Sequence, residues 1–382
     1  MIGLAEHANG VFDIDSEYSF YDPAALRPRR LAQVGLIRLP PHPMRLFAAQ
    51  HTYIGTIFAF IRPDDFERQI HDAYSGPPDL QDRDACLSYA KVLIVLAFGQ
   101  LYSVNQWTDF SGPPGFEYFN QALQYLPDLH EEGTILFVET LALVGYFLQN
   151  LNRRDAAYLY IGTALRMSIS LALHQEVPTV NFDEATREHR RRVWWSVYSL
   201  DRILSVKPGN PITIQDEDIG VNLPSRLPNE PEYCSAVVLR RYTELSRILG
   251  RIMTSIYRKT PKSRASLLSS VQSILSSLAQ WKRDVPDELR FEPAKLEVSR
   301  ESVSTFLHYY QCINMTVRPL LLHLVQEKLK KQSSTAEEDW RDGLHPATIS
   351  AIETCISAAQ RTVTIMSIAA QKNLVGKYSL CI

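Results

Sequence analysis

The sequence predicts an all-α protein, a large irregular multi-helix bundle with no substantial sheet. Three observations carry that expectation. From Met44 onward the apolar residues recur at helical spacing almost everywhere. No alternating apolar run bounded by hairpin turns interrupts them. Several of the helical stretches also carry their own punctuation of prolines and capping residues.

Residues 1–43 are rich in Pro, Arg and acidic residues without sustained period, and Arg27-Pro28-Arg29-Arg30 followed by Pro40-Pro41-His42-Pro43 reads as an irregular linker. Helices are then predicted over 44–60, 64–73, 82–104, 115–125, 133–149, 153–174, 184–206, 233–259, 264–283, 301–331 and 346–371. The first opens the folded region. In the second, Asp64 follows Pro63 and opens the helix, where an acid stabilises the positive end of the dipole. The third contains the apolar run Val92 to Phe98, and the fifth contains Thr134 to Leu148, interrupted by Glu139. Both runs fall short of the roughly 18 to 20 apolar residues that a membrane span needs. The fifth is apolar almost all round, as expected of a helix surrounded by others. In the sixth, Ala164, Ser168 and Ala172 follow at steps of four and should let a partner helix approach closely.

The 184–206 helix is the most informative. Asn181 stands three residues before Glu184, a capping-box spacing, and Pro178 and Pro208-Gly209 bracket the helix. Val193, Val197, Leu200 and Leu204 form one buried stripe, with Trp194, Tyr198 and Asp201 on a neighbouring face. The 233–259 helix repeats the pattern with Val238, Tyr242, Leu245, Leu249, Ile252 and Ile256, while Arg240, Arg241, Arg247 and Arg251 point elsewhere. A polar interruption from Lys330 to His345 divides a helical domain over 44–331 from a polar loop and C-terminal helical extension over 332–382.

The 382 residues allow one large domain or two or three ordinary ones, and the net charge of −2 gives no global attraction to phosphate. Any basic contact must be local. The five cysteines, Cys86, Cys234, Cys312, Cys355 and Cys381, lack the close pairing of structural zinc sites and read as reduced thiols of a cytosolic or nuclear protein. The first ten residues contain neither a basic n-region nor an apolar run, so no secretory signal is visible and a soluble protein is expected.

Candidate chemistry is sparse. Asp64-Asp65-Phe66-Glu67 and Asp216-Glu217-Asp218 are paired acids of the kind that an all-α, metal-dependent isoprenoid cyclase uses to hold a diphosphate through metal ions. Their positions, at a helix start and in a loop between Pro208 and Pro224, favour a capping and solvated-loop role. There is no Gly-x-Ser-x-Gly elbow, Walker loop or dinucleotide fingerprint. Cys86 and Cys312 lie in apolar helical runs, and His174, His189, His308 and His323 lack a metal-binding spacing. No catalytic, cofactor or metal site is assigned. The basic clusters are Arg27 to Arg30, Arg187 to Arg192, Arg258 to Arg264 and Lys328 to Lys331; Arg190-Arg191-Arg192 reads as a solvated face or a source of ion pairs. Arg192 and Trp195, three apart, can stack. Arg202, four beyond Tyr198, can lie against its ring or reach an acid on a neighbouring helix. Asp201 and Arg202 are adjacent, so they serve different partners.

Tyr158 to His174, Glu188 to Arg202, and Gly209-Asn210-Pro211-Ile212 with Asp216 to Pro224 together resemble the middle homology region of fungal zinc-cluster transcription factors. Thr52 to Ile70 and Phe306 to Leu322 agree more weakly, so the resemblance spans about residues 44 to 330. It implies an all-helical regulatory domain of a nuclear transcription regulator, with Arg192, Trp194, Trp195, Asp201, Arg202, Gly209, Pro211, Asp218 and Pro224 as its structural motif. Other transcription regulators or a second copy are the implied partners, with a small molecule as a possible effector. Relatives often carry Arg where Asn210 stands. They also place six close cysteines before this region, whereas the first cysteine here is Cys86. The implied zinc therefore belongs to the cluster of relatives and to none of these residues. The chain is expected to be a shortened product, or to regulate by dimerising with full-length relatives, and to reach DNA only through another domain or partner.

Overall fold

The computed structural model describes residues 37–103, 112–129, 131–178, 182–206, 209–258, 264–292, 298–330, 339–372 and 374. Among them are eleven α-helices and no strand. They are α1 (Pro43–Gln50), α2 (Pro63–Ser75), α3 (Arg83–Ser103), α4 (Phe116–Gln124), α5 (Ile135–Asn150), α6 (Arg154–Ser170), α7 (Glu184–Val206), α8 (Ser235–Ser255), α9 (Arg264–Asp284), α10 (Arg300–Lys330) and α11 (Pro346–Gln371).

The buried centre is built on α3 and α5. Their nearly continuous apolar surfaces have no single polar face to turn outward, so each is surrounded: α3 meets α1, α2, α4 and α5, while α5 also meets α6 and α7. The whole of α3 is long and apolar enough to cross a membrane, although its apolar run Val92 to Phe98 read as too short. Of its most apolar window, however, 83% is buried inside the molecule. The chain then adds amphipathic layers, α8 on α7, α10 on α8 and α9, and α11 along α10. The stripe Val193, Val197, Leu200 and Leu204 is buried as its spacing requires, and so are Val238, Tyr242, Leu245, Leu249 and Ile252 of α8. Each large apolar side chain so buried contributes about 1.5 to 3 kcal/mol.

Two predicted helices stop short with consequences for the packing, whereas α7 starts at Glu184 as expected. The stretch predicted as one helix over 44–60 is α1 followed by a π-helical turn, His51–Gly55. The segment beyond leaves helical geometry and places Phe58 and Phe60 in the core, with the Ala59 N–H donating to Ser196 Oγ at 3.0 Å. The sixth helix stops at Ser170, before Ala172, which is exposed and adopts φ +54° in the turn that reverses the chain. Ala172 therefore cannot extend the small-residue face; Ala164 and Ser168 are buried as expected. At the start of α7 the cap is Asp183, whose Oδ1 accepts from the Thr186 N–H at 2.6 Å. Asn181 and Pro208 lie outside the described residues, as does the Arg27 to Arg30 cluster.

Candidate functional site

Helix α7 and the return segment 209–230 form the most heavily connected polar region among the described residues. The segment begins where α7 ends, with the Gly209 N–H donating to Val206 O at 3.1 Å and the Asn210 N–H to Ser205 O at 2.9 Å. Gly209 takes φ +78°, which suits glycine as the residue that terminates a helix in a left-handed turn.

At the start of α7 the three arginines are engaged, so the ion-pair reading of the cluster replaces that of a solvated face. Arg190 donates to Leu171 O at 3.1 Å and lies over the Phe182 ring. Arg191 grips Glu176 with Nε and Nη2 and reaches Glu188 Oε2 at 3.2 Å. Arg192 donates Nε to Glu188 Oε1 at 2.9 Å, spans both oxygens of Glu230 at 2.7 Å, and bonds Ser225 O at 2.8 Å. Trp195 is not its partner. The indole N–H of Trp195 donates instead to Asn222 O at 2.7 Å, and carboxylates occupy the Arg192 guanidinium, so the expected stacking is absent.

Glu188 is the hub. It is 1% exposed, and beyond the two arginines it accepts from the Ser225 N–H at 2.8 Å and the Ser225 hydroxyl at 2.9 Å. Glu230 in turn accepts from the Leu227 N–H at 2.8 Å, and Glu176 from the backbone and side-chain amides of Asn222. The bonds from Arg192 hold the Glu230 carboxyl below its usual value. Burial pushes Glu176 up, but Arg191 and the Asn222 N–H outweigh it and the carboxyl lies low. Three acids and two arginines thus fasten the return segment to α7 through charge-assisted bonds.

Further along α7, Trp194 and Trp195 are buried, and the Trp195 and Tyr198 rings meet edge to face at 5.1 Å. Arg202 has no exposed surface. Its guanidinium lies 4.5 Å from the Tyr198 ring centre and donates to Ile214 O at 2.6 Å and Asp216 Oδ1 at 3.0 Å. Asp216 also accepts from the Tyr198 hydroxyl at 2.6 Å and Arg247 at 3.4 Å. It is therefore an internal acceptor rather than a solvated loop acid. Its 3-10 turn, Asp216–Asp218, leaves Asp218 exposed, contributing its backbone carbonyl to Gln175. Gly250 of α8 makes room: a Cβ there would sit 3.1 Å from Arg202 Nε. Pro211 is exposed, whereas Pro224 is buried between the anchored residues Asn222 and Ser225.

Asp201 faces elsewhere, accepting from Thr213 at 3.3 Å. Burial raises its carboxyl from 3.8 to about 6. A carboxyl raised on folding favours the folded state below its unfolded value, and that contribution is lost as pH rises through about 6. Asp201→Asn, which imitates the protonated form, is therefore expected to raise unfolding stability at pH 7.5 by about 2 kcal/mol and to lose that advantage near pH 4. Urea unfolding of both proteins at the two pH values checks it.

Sequence reasoning missed a second buried cluster. Glu139 of α5 accepts from Lys91 Nζ of α3 at 2.6 Å and meets His189 Nε2 of α7 at 2.7 Å, with Lys91 and Glu139 both almost fully enclosed. The available signal was one charge at each of two apolar runs, Lys91 just before Val92 to Phe98 and Glu139 within Thr134 to Leu148. Burial pushes the Glu139 carboxyl up, but the Lys91 ammonium and His189 outweigh it, and it lies below its usual value. The paired acids near the N-terminus have local roles: Asp64 and Asp65 occupy the first turn of α2, and Asp65 pairs with Arg62 and Arg68. The cyclase reading is not favoured.

Residues 53–283, running from the π-helical turn through α9, match the fungal specific transcription factor domain. The chain belongs to that family. It is 26% identical over 296 residues to an uncharacterized transcriptional regulatory protein of Schizosaccharomyces pombe, covering 75% of this chain and 36% of the relative. It is 26% identical to the thiamine repressible genes regulatory protein of the same yeast, over 72% of this chain and 35% of that protein. To the activator of stress genes 1 of Saccharomyces cerevisiae it is 24% identical, over 71% and 30%. The chain thus spans about a third of the length of these relatives. No solved structure matches it.

Proposed function

We propose that this chain is the regulatory domain of a nuclear transcription regulator, a helical body that governs transcription through a small-molecule effector or a protein partner. The observation that carries the reading is the family match, which runs from the π-helical turn through α9 and includes α7 with its clamp. Arg191 and Arg192 are engaged with Glu176, Glu188 and Glu230 and so are not offered to a phosphate backbone, and in this reading contact with DNA belongs to another domain or partner. In this reading the chain performs no catalysis and needs no cofactor, and its partners are other regulators or a second copy.

Fusion of the chain to an unrelated sequence-specific DNA-binding domain tests the proposal. Transcription of a reporter carrying that domain's site is expected to differ several-fold from the level set by the DNA-binding domain alone. Unchanged output, with the fusion intact on the promoter, would contradict it.

A further inference from the structure

Arg300 opens α10 and is 4% exposed, yet its Nε and Nη1 have no hydrogen-bond partner, and among the described residues no carboxylate pairs with it. The centre of the Tyr53 ring is 5.9 Å from its guanidinium carbon, at the outer limit of a cation–π contact. A guanidinium taken out of water this far ordinarily has an anionic partner, because the desolvation it suffers is large.

The same side chain lines a cavity of about 50 Å³ enclosed by α5, α7, α8, α10 and the segment after the π-helical turn. That space holds about four water-sized groups. One wall is apolar, formed by Phe58, Leu200, Ile203 and Leu204; Ser304 and Tyr242 add polar groups near Arg300. Gln311 also lies on the lining. Ile203 and Gln311 are partly exposed.

We propose that this cavity binds a short-chain monocarboxylate, its carboxylate on Arg300 and its alkyl group against Phe58, Leu200, Ile203 and Leu204. One cation matches one negative charge. A dianion such as phosphate would leave a second charge buried without a partner. His308, stacked on Tyr242 at 4.8 Å, does not supply one, because burial lowers it to about 4 and its ring is neutral at pH 7. The proposal rests on the regulatory reading only for its cellular consequence, in which the acid acts as the effector.

Titration calorimetry of the purified full chain with acetate, propionate and butyrate tests it, with the corresponding amides and inorganic phosphate as controls. Saturable binding of at least one carboxylate at or below roughly 10 mM, with no binding of its amide, is expected. Arg300→Gln should weaken that binding by roughly 10- to 100-fold, the value of charge-assisted bonds. Because Arg300→Gln can also disturb folding, Ile203→Phe provides a second arm: it narrows the cavity from a partly exposed position, keeps Arg300, and should abolish binding of the longer acids. Failure of all three acids to bind the wild-type chain, equal binding by Arg300→Gln, or tighter binding of phosphate would overturn the site. Reporter activity without carboxylate binding refutes the site and leaves the regulatory reading; binding with an inert reporter supports the site and refutes the regulatory reading.

Discussion

Glu139→Leu is expected to destabilise the folded chain by about 3 to 5 kcal/mol, because it strands the Lys91 ammonium between α3 and α5 without its partner. The cost is mostly that of an uncompensated buried charge, so it should be largely recovered by a second change. Lys91→Met together with Glu139→Leu removes both charges and fills similar volume, and such replacements are often neutral. Equilibrium unfolding in urea of wild type, both single variants and the double variant measures the coupling directly. The pH dependence has a definite sign. A carboxyl held low in the folded state contributes stability above its unfolded value, and that contribution is lost as pH falls through the folded one. The double variant should therefore lose part of the acid destabilisation that wild type shows below about pH 4.5.

The second large effect concerns the clamp. Glu188→Leu removes the acceptor of four bonds from Arg191, Arg192 and Ser225 at a site with 1% exposure. The arginines keep Glu176 and Glu230, whereas the Ser225 N–H loses the partner it has on α7. A loss of about 3 kcal/mol is expected, at the lower end for breaking a buried pair because the remaining acids still share the charge. The loss should appear first as detachment of the 222–230 segment, since the apolar stripe of α7 packs on other helices without Glu188.

Much of the fold was legible because helical periodicity is a local property. The stripes of α7 and α8 are short-range patterns, and burial followed them. Helix ends were less legible where tertiary packing decided them: nothing local in Tyr53 to Phe60 announces a π-helical turn and then an extended segment held by Ser196. The site was legible in part. Arg202 against Tyr198 follows from a spacing of four, but its acid, expected on a neighbouring helix, is Asp216 of the 3-10 turn, which spacing could not announce because a loop has no period. Glu176 and Glu230 escaped notice since each reaches α7 from a connecting segment. Lys91, Glu139 and His189 lie on three helices separated by 48 and 50 residues, so only the folded chain brings them together.

The basic run of α7 holds the return segment from inside. Amide hydrogen exchange at Ser225 and Leu227, followed by NMR in wild type and Glu188→Leu, tests it most directly. Both amides are expected to be protected in wild type and to exchange much faster in the variant, while the amides of α3 and α5 keep their protection. Unchanged protection at Ser225 and Leu227 in a folded Glu188→Leu protein would contradict it.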